Sequence, residues 1–299
     1  MRNMKATMGW AAALALCTTG SALAQTGLPT SQPNLLQIYR EEVKVGQAIA
    51  HEKTEAGWPA AFEKAKSPYY YVALASLTGP QEVWFVAPFE SHEALGESMK
   101  FERGNAALAA ELARLQGADA EHLSGLRMVQ AVARKELSHG EYPDTAKQRF
   151  YAVTTFRVRP GRGEDFAAAV KAYGAAMARA GTGGSFRVYE VIAGLPSPTY
   201  LVFSSVTSYA GFDKALMNGE AVWKATTEEE RMILQKFSTE ALIGSDTQRF
   251  ELNPAMSYVS AEVRASDPDF WMPKKPAVKK STSVPPQQKT PAAPGSDSR

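Results

Sequence analysis

Residues 150–180 read FYAVTTFRVRPGRGEDFAAAVKAYGAAMARA. Phe150 to Val158 is rich in β-branched and aromatic residues and predicts a strand. Pro160-Gly161 is a turn. From Glu164 to Ala180, Phe166, Val170, Tyr173 and Met177 recur at i, i+4, i+7 and i+11, which predicts a helix with one buried stripe. The same order stands 115 residues earlier, in LLQIYREEVKVGQAIAHEKTEAGWPAAFEKA at 35–65. Val43 and Gly46 match Val158 and Gly161, and Ala60, Ala61 and Ala65 match Ala175, Ala176 and Ala180. Shared register and element order carry this repeat, since identity is low.

The repeat extends outward from these stretches. Gly79 matches Gly194, and Ser91 matches Ser208 after a two-residue insertion. Further on, Arg134, Glu136 and Leu137 are expected to match Arg249, Glu251 and Leu252 at the original shift. In the second half, Gly181 to Gly184 stops the helix. Strands follow at 186–192 and 199–206, then helix from Ser208 to about Leu242, then a strand over 247–259 interrupted at Pro254. The first half predicts strands at 35–45, 69–77, 83–89 and 128–137. Its helices are expected at 48–66 and from Ser91 to about Gly125, the latter broken near Gly117.

Each half is therefore β-α-β-β-α-β, the ferredoxin-like order, with an antiparallel sheet and helices on one face. Two such units in one chain can bury their bare sheet faces against each other. This order resembles the dimeric α/β-barrel superfamily, which includes NIPSNAP-like and antibiotic-biosynthesis-monooxygenase-like proteins. The resemblance covers about residues 34 to 264 and rests on topology, not on a diagnostic motif. It implies an α+β fold in which the two units pair as an intrachain α/β barrel, with sites in a crevice between sheet and helices. A further homodimer is then not required to complete the barrel.

The domain expectation is a signal peptide at 1–24, a linker at 25–33, a first unit at 34–140 and a linker at 141–147. A second unit follows at 148–264 and a disordered tail at 265–299. Arg2 and Lys5, the apolar stretch Gly9–Cys17 and the Ala22-Leu23-Ala24 site carry the export reading. Cleavage is expected near Ala24-Gln25, placing the mature chain in the periplasm or outside the cell. Cleavage there removes Cys17, the sole cysteine, so no disulfide framework or thiol redox pair is expected. From Met272 the chain is Pro- and Lys-rich with little to bury. Six basic residues there face Asp297 alone, so the whole-chain charge of +2 becomes about −5 for residues 25–271. A mildly acidic core argues against nucleic-acid binding. The basic tail could lean on an anionic envelope surface, and no apolar run predicts a membrane span.

The two halves differ where chemistry could reside. At a shift of 115 the stripe Phe166, Val170, Tyr173, Met177 falls on His51, Glu55, Trp58 and Phe62. A histidine and a carboxylate thus replace core residues on one helix face, four apart. A buried His/Glu pair needs partners. His51 is the candidate general base, oriented by Glu55, with Trp58 as an apolar wall. Tyr39 and Tyr70 are candidate ligand-binding or proton-relay residues. Pro59 is expected to disturb the helix. Arg40, Glu41 and Glu42 place charge in the first strand, so at least one must face a sheet surface. Arg134 with Glu136, and Arg249 with Glu251, are expected as cross-strand pairs. His122 is expected to align with Phe237. The four histidines have no ligand spacing among themselves, so neither a metal nor a cofactor is expected. There is no P-loop, no Rossmann fingerprint and no nucleophile elbow.

The leading expectation is an exported protein that binds a small apolar or aromatic ligand in the helix–sheet crevice of the first unit. One alternative is a cofactor-independent monooxygenase or isomerase using the His51/Glu55 pair. The other is a structural envelope protein that binds a protein partner.

Overall fold

A computed structural model describes residues 27–272. The expected signal peptide and the Pro/Lys-rich run after Met272 lie outside the described residues. Four strands come from the first half: β1 (Leu35–Val43), β2 (Tyr71–Ser76), β3 (Glu82–Phe89) and β4 (Leu123–Ala133). Four come from the second: β5 (Phe150–Val158), β6 (Arg187–Ala193), β7 (Thr199–Val206) and β8 (Leu242–Tyr258). They close into one antiparallel barrel in the order β1-β3-β2-β8-β5-β7-β6-β4. Each half contributes a ferredoxin-like sheet, and the halves join at two seams, β2–β8 and β4–β6. The expected pairing of two units within one chain is what the structure contains.

Closure follows from which faces are apolar. Alternate residues of each strand point into the barrel, where Ile38, Leu74, Trp84, Val153, Leu201 and Phe250 form one core drawn from both halves. The opposite faces carry the helices. In the first unit these are α1 (Ala48–Glu55), α2 (Gly57–Ala65), α3 (His92–Gly104) and α4 (Ala106–Asp119). In the second they are α5 (Gly163–Ala180), α6 (Gly211–Ala225) and α7 (Glu228–Lys236), the last followed by a π-helical turn at Phe237–Ala241. Two short helices, α8 (Ala261–Ser266) and α9 (Pro268–Trp271), end the described chain.

The helix expected over 48–66 is two helices, broken at Ala56. Pro59 has no N–H and its ring would crowd the carbonyl of Glu55 in a continuous helix. The second helical region breaks at Asn105, not at Gly117. Asn105 Oδ1 accepts from the N–H of Leu108 and so caps α4. Gly117 lies inside α4. Near Pro254 the strand does shift register: Tyr71 faces Tyr258, whereas Ala73 faces Asn253. Asn253 Oδ1 accepts from the N–H groups of Ala255 and Met256, satisfying donors the ladder cannot.

The repeat register is more exact than identity implies at the start and different at the end. Leu35 pairs with Phe89 and Phe150 with Val206, so β1/β5 keep the 115 shift and β3/β7 carry the two-residue insertion. The last strands are offset by 119, not 115: Val43 faces Leu123 and Val158 faces Leu242, each at a bulge. The second helical region is longer, and that displaces everything after it. His122 therefore corresponds to Ala241, not Phe237; their carbonyls accept from Lys44 and Arg159 in turn. Arg134 and Arg249 are likewise not equivalent. Arg134 pairs with Glu136 and Glu190, but it stands beyond β4, next to a 3₁₀ turn at Lys135–Leu137. Arg249 instead lies over the Phe212 ring at 4.4 Å, and no pair with Glu251 occurs among the described residues.

Residues 265–271 are folded, which corrects the expected start of the tail. Trp271 is buried against the barrel end, and its indole N–H donates to the carbonyl of Ala146. Arg149 pairs with Asp267 and lies over the Phe270 ring. Phe270-Trp271 is an apolar pair worth burying, unlike the sequence after it.

Candidate functional site

The crevice of the first unit holds a buried polar cluster. His51 and Glu55 share the sheet-facing side of α1, and both are buried, at 1% and 4% exposure. Glu41 projects from the helix-facing side of β1, the side it shares with Val43. Asp119, the last residue of α4, completes the group at 2% exposure. His51 Nδ1 lies 2.9 Å from Asp119 Oδ1, and His51 Nε2 lies 3.8 Å from Glu41 Oε2. One donor atom from each of the four residues falls within 4.8 Å of the others. The carboxylate of Asp119 accepts from Nδ1–H, which turns Nε2 toward Glu41.

The electrostatics are unusual for a folded core. Burial raises the Glu55 carboxyl to about 9, and the charges of Glu41 and Asp119 push the same way. Burial raises Glu41 to about 7, opposed by His51 and reinforced by Asp119. Three acids face one imidazole, and no lysine or arginine pairs with them among the described residues. Arg40, next to Glu41, points the other way, where it grips Glu82 and lies over Trp84. Glu41 Oε2, His51 Nε2 and Asp119 Oδ2 are buried without hydrogen-bond partners.

Trp58, on α2, packs toward Phe62, and its buried indole N–H lies beside Glu55, where it opposes the rise of that carboxyl. The two tyrosine candidates fall elsewhere. Tyr39 shares a face with Glu41 but is 36% exposed and outside the cluster. Tyr70 packs on Tyr258 at 5.1 Å, near Glu63, Glu262 and Arg264. Tyr71 is the neighbouring tyrosine that feels Glu55 and Glu41. Sequence reading missed Asp119, which is 68 residues from His51 and carries no local signal. Glu41 was signalled by charge in a strand, and period-two alternation with Val43 identifies it.

The crevice of the second unit is built from the equivalent positions with opposite chemistry. Glu41 corresponds to Phe156, His51 to Phe166, Glu55 to Val170 and Asp119 to Ser238. Phe156, Phe166 and Phe237 pack together, with ring centroids 5.6 to 6.2 Å apart. Beside them opens a cavity of about 990 Å³. Its floor is the outer face of β5, β7 and β8, including Thr154, Val202 and Thr247. Its walls are α5 and α6, with Val170, Met177 and Phe212 among the lining. Here α6 packs on α5, and the space lies between these helices and the sheet. The lining contains no histidine or carboxylate, while Lys214 and Arg249 contribute cations. An apolar or aromatic ligand was expected in the crevice of the first unit; acids gather there, and the cavity of about 990 Å³ lies in the second.

No known family matches the sequence, and no curated protein is similar to it. Solved structures match its fold. A candidate monooxygenase from Fusobacterium nucleatum superposes with a TM-score of 0.51 at 11% identity, covering 74% of this chain and 93% of the other. A second candidate monooxygenase, from Lactobacillus acidophilus, gives 0.48 at 7%, covering 76% and 97%. A chlorite dismutase variant from Candidatus Nitrospira defluvii gives 0.48 at 10%, covering 79% and 96%. The likeness is one of fold: a closed eight-stranded antiparallel barrel flanked by helices, formed here by the two halves of one chain.

Proposed function

We propose that this chain binds a small apolar or aromatic molecule in the helix–sheet crevice of its second unit. The observation that carries the reading is the cavity of about 990 Å³ beside the Phe156–Phe166–Phe237 cluster. Its size is that of a ligand site, and aromatic walls with a few polar groups are what such sites use. Arg249 and Lys214 would meet an anionic or polar end of the ligand. Export to the periplasm or beyond belongs to the same proposal and rests on the sequence of residues 1–24.

Two probes with one ring system test it: anilinonaphthalene sulfonate and the uncharged phenylnaphthylamine. Both are expected to bind with enhanced fluorescence. Thr154→Phe, which fills the sheet floor, should weaken both by roughly tenfold or more, in line with the cost of obstructing an apolar pocket. Arg249→Gln should weaken the sulfonate alone. Probe binding that ignores Thr154→Phe would overturn the site.

A further inference from the structure

The geometry points to a second, independent site: we propose that Glu41, His51 and Glu55 bind a divalent first-row metal ion, with Asp119 orienting the imidazole. This site is separate from the apolar cavity of the second unit and contains atoms left without partners. His51 is 1% exposed, and its Nε2 has no hydrogen bond, although a buried polar atom costs free energy unless satisfied. Glu41 Oε2 faces it at 3.8 Å, equally unpartnered. That gap is too long for a hydrogen bond. It is within the span of about 4.2 Å that two donors can bridge when each lies about 2.1 Å from a shared cation.

Charge says the same. Three carboxyl groups, two buried and Glu41 partly so, converge on one imidazole with no lysine or arginine paired to them among the described residues, a donor set that a cation would complete. The donor atoms lie within 4.8 Å of one another. Ligands about 2.1 Å from a tetrahedral ion stand about 3.4 Å apart, so pairs separated by up to 4.8 Å close through shifts of about 1.4 Å shared between two side chains. Flexible glutamate side chains supply these. Asp119 already accepts from Nδ1–H at 2.9 Å, which fixes the tautomer and turns Nε2 inward. This carboxylate–histidine arrangement is the outer support that metal-binding histidines have. An entry path exists at Glu41, whose side chain is 14% exposed. The donor set selects the ion. Imidazole nitrogen with carboxylate oxygens suits Zn²⁺ or Mn²⁺, whereas Ca²⁺ takes oxygen alone.

The test uses the full chain, stripped with a chelator and then titrated with Zn²⁺, Mn²⁺ or Ca²⁺ alone. The expected result is one equivalent of Zn²⁺ or Mn²⁺ bound, with Ca²⁺ much weaker. Glu41→Gln and Glu55→Gln should each lower affinity at least tenfold, and Asp119→Asn by about 10–100-fold. His92→Gln, at an exposed histidine, should change nothing. Loading Zn²⁺ should also shift the His51 Nε2 nitrogen resonance and leave Nδ1 protonated, a readout that survives any loss of variant stability. The proposal is overturned by no binding to the folded wild-type chain, by binding indifferent to Glu41→Gln and Glu55→Gln, or by an unmoved His51 imidazole. Ca²⁺ bound as tightly as Mn²⁺ would also overturn it.

Discussion

Gly194→Ala is expected to cost about 3–5 kcal/mol, in the range where a single substitution signals a backbone conflict. Gly194 sits in the β6–β7 connection with φ of +92°, a conformation that side chains rarely adopt. An added Cβ would overlap the carbonyl oxygen of Met128 and lie 2.9 Å from Val129 Cα. Both belong to β4, which is paired on one side with β1 and on the other with β6. That strand cannot move without opening the seam that closes the barrel. Gly79, its repeat partner, has φ of +77°, but its Cβ would meet the Gln248 side chain at 2.8 Å. A side chain can swing aside, so Gly79→Ala should cost less, about 1–2 kcal/mol. Gly161 has φ of +79° with nothing within 4 Å. Gly161→Ala then reports the conformational cost alone, about 1 kcal/mol. Urea unfolding of the three variants reads the ranking. Equal losses at Gly161 and Gly194 would mean that the β4–β6 seam is not held this closely.

The same two glycines show how far the sequence could be read. Their match at a shift of 115 reflects the two hairpins, each resting against the last strand of the other half. Strand and helix periodicity is local, so the element order and the buried face of α1 were legible, His51 and Glu55 with it. What failed was non-local or cumulative. The extra length in the second helical region moved β8 to an offset of 119, so the Arg134/Arg249 correspondence was false. Insertions in solvated helices leave no periodic trace that a residue match can follow. Asp119 joins the cluster only because α4 ends against α1, a packing outcome. The second cavity was invisible for a related reason. Phe166 and Val170 read as core in either case, and only the space between α5, α6 and the sheet makes their surroundings hollow. Phe270 and Trp271 were lost to the composition of the run that follows them.

Glu55→Gln is expected to stabilise the metal-free chain, increasingly so as pH rises. An unfolded glutamate ionises near 4.5, whereas burial and the neighbouring acids raise folded Glu55 to about 9. Between those values the folded state holds a proton that the unfolded state has lost. The favourable contribution of that proton is fully present below about pH 4.5 and is lost as pH climbs toward 9. Glutamine is neutral in both states and pays no such cost, while keeping a donor and an acceptor in the carboxyl's place. The variant should therefore match wild type near pH 4.5 and exceed it by about 2–3 kcal/mol at pH 7. Glu41→Gln should show the same trend but level off near pH 7, because folded Glu41 ionises at about that value. Its gain is smaller, about 1–2 kcal/mol, after discounting for partial exposure. Chemical denaturation in chelator from pH 4.5 to 9 separates the two curves. A pH-independent difference for Glu55→Gln would place this carboxyl in water and remove the buried acid cluster from the first unit.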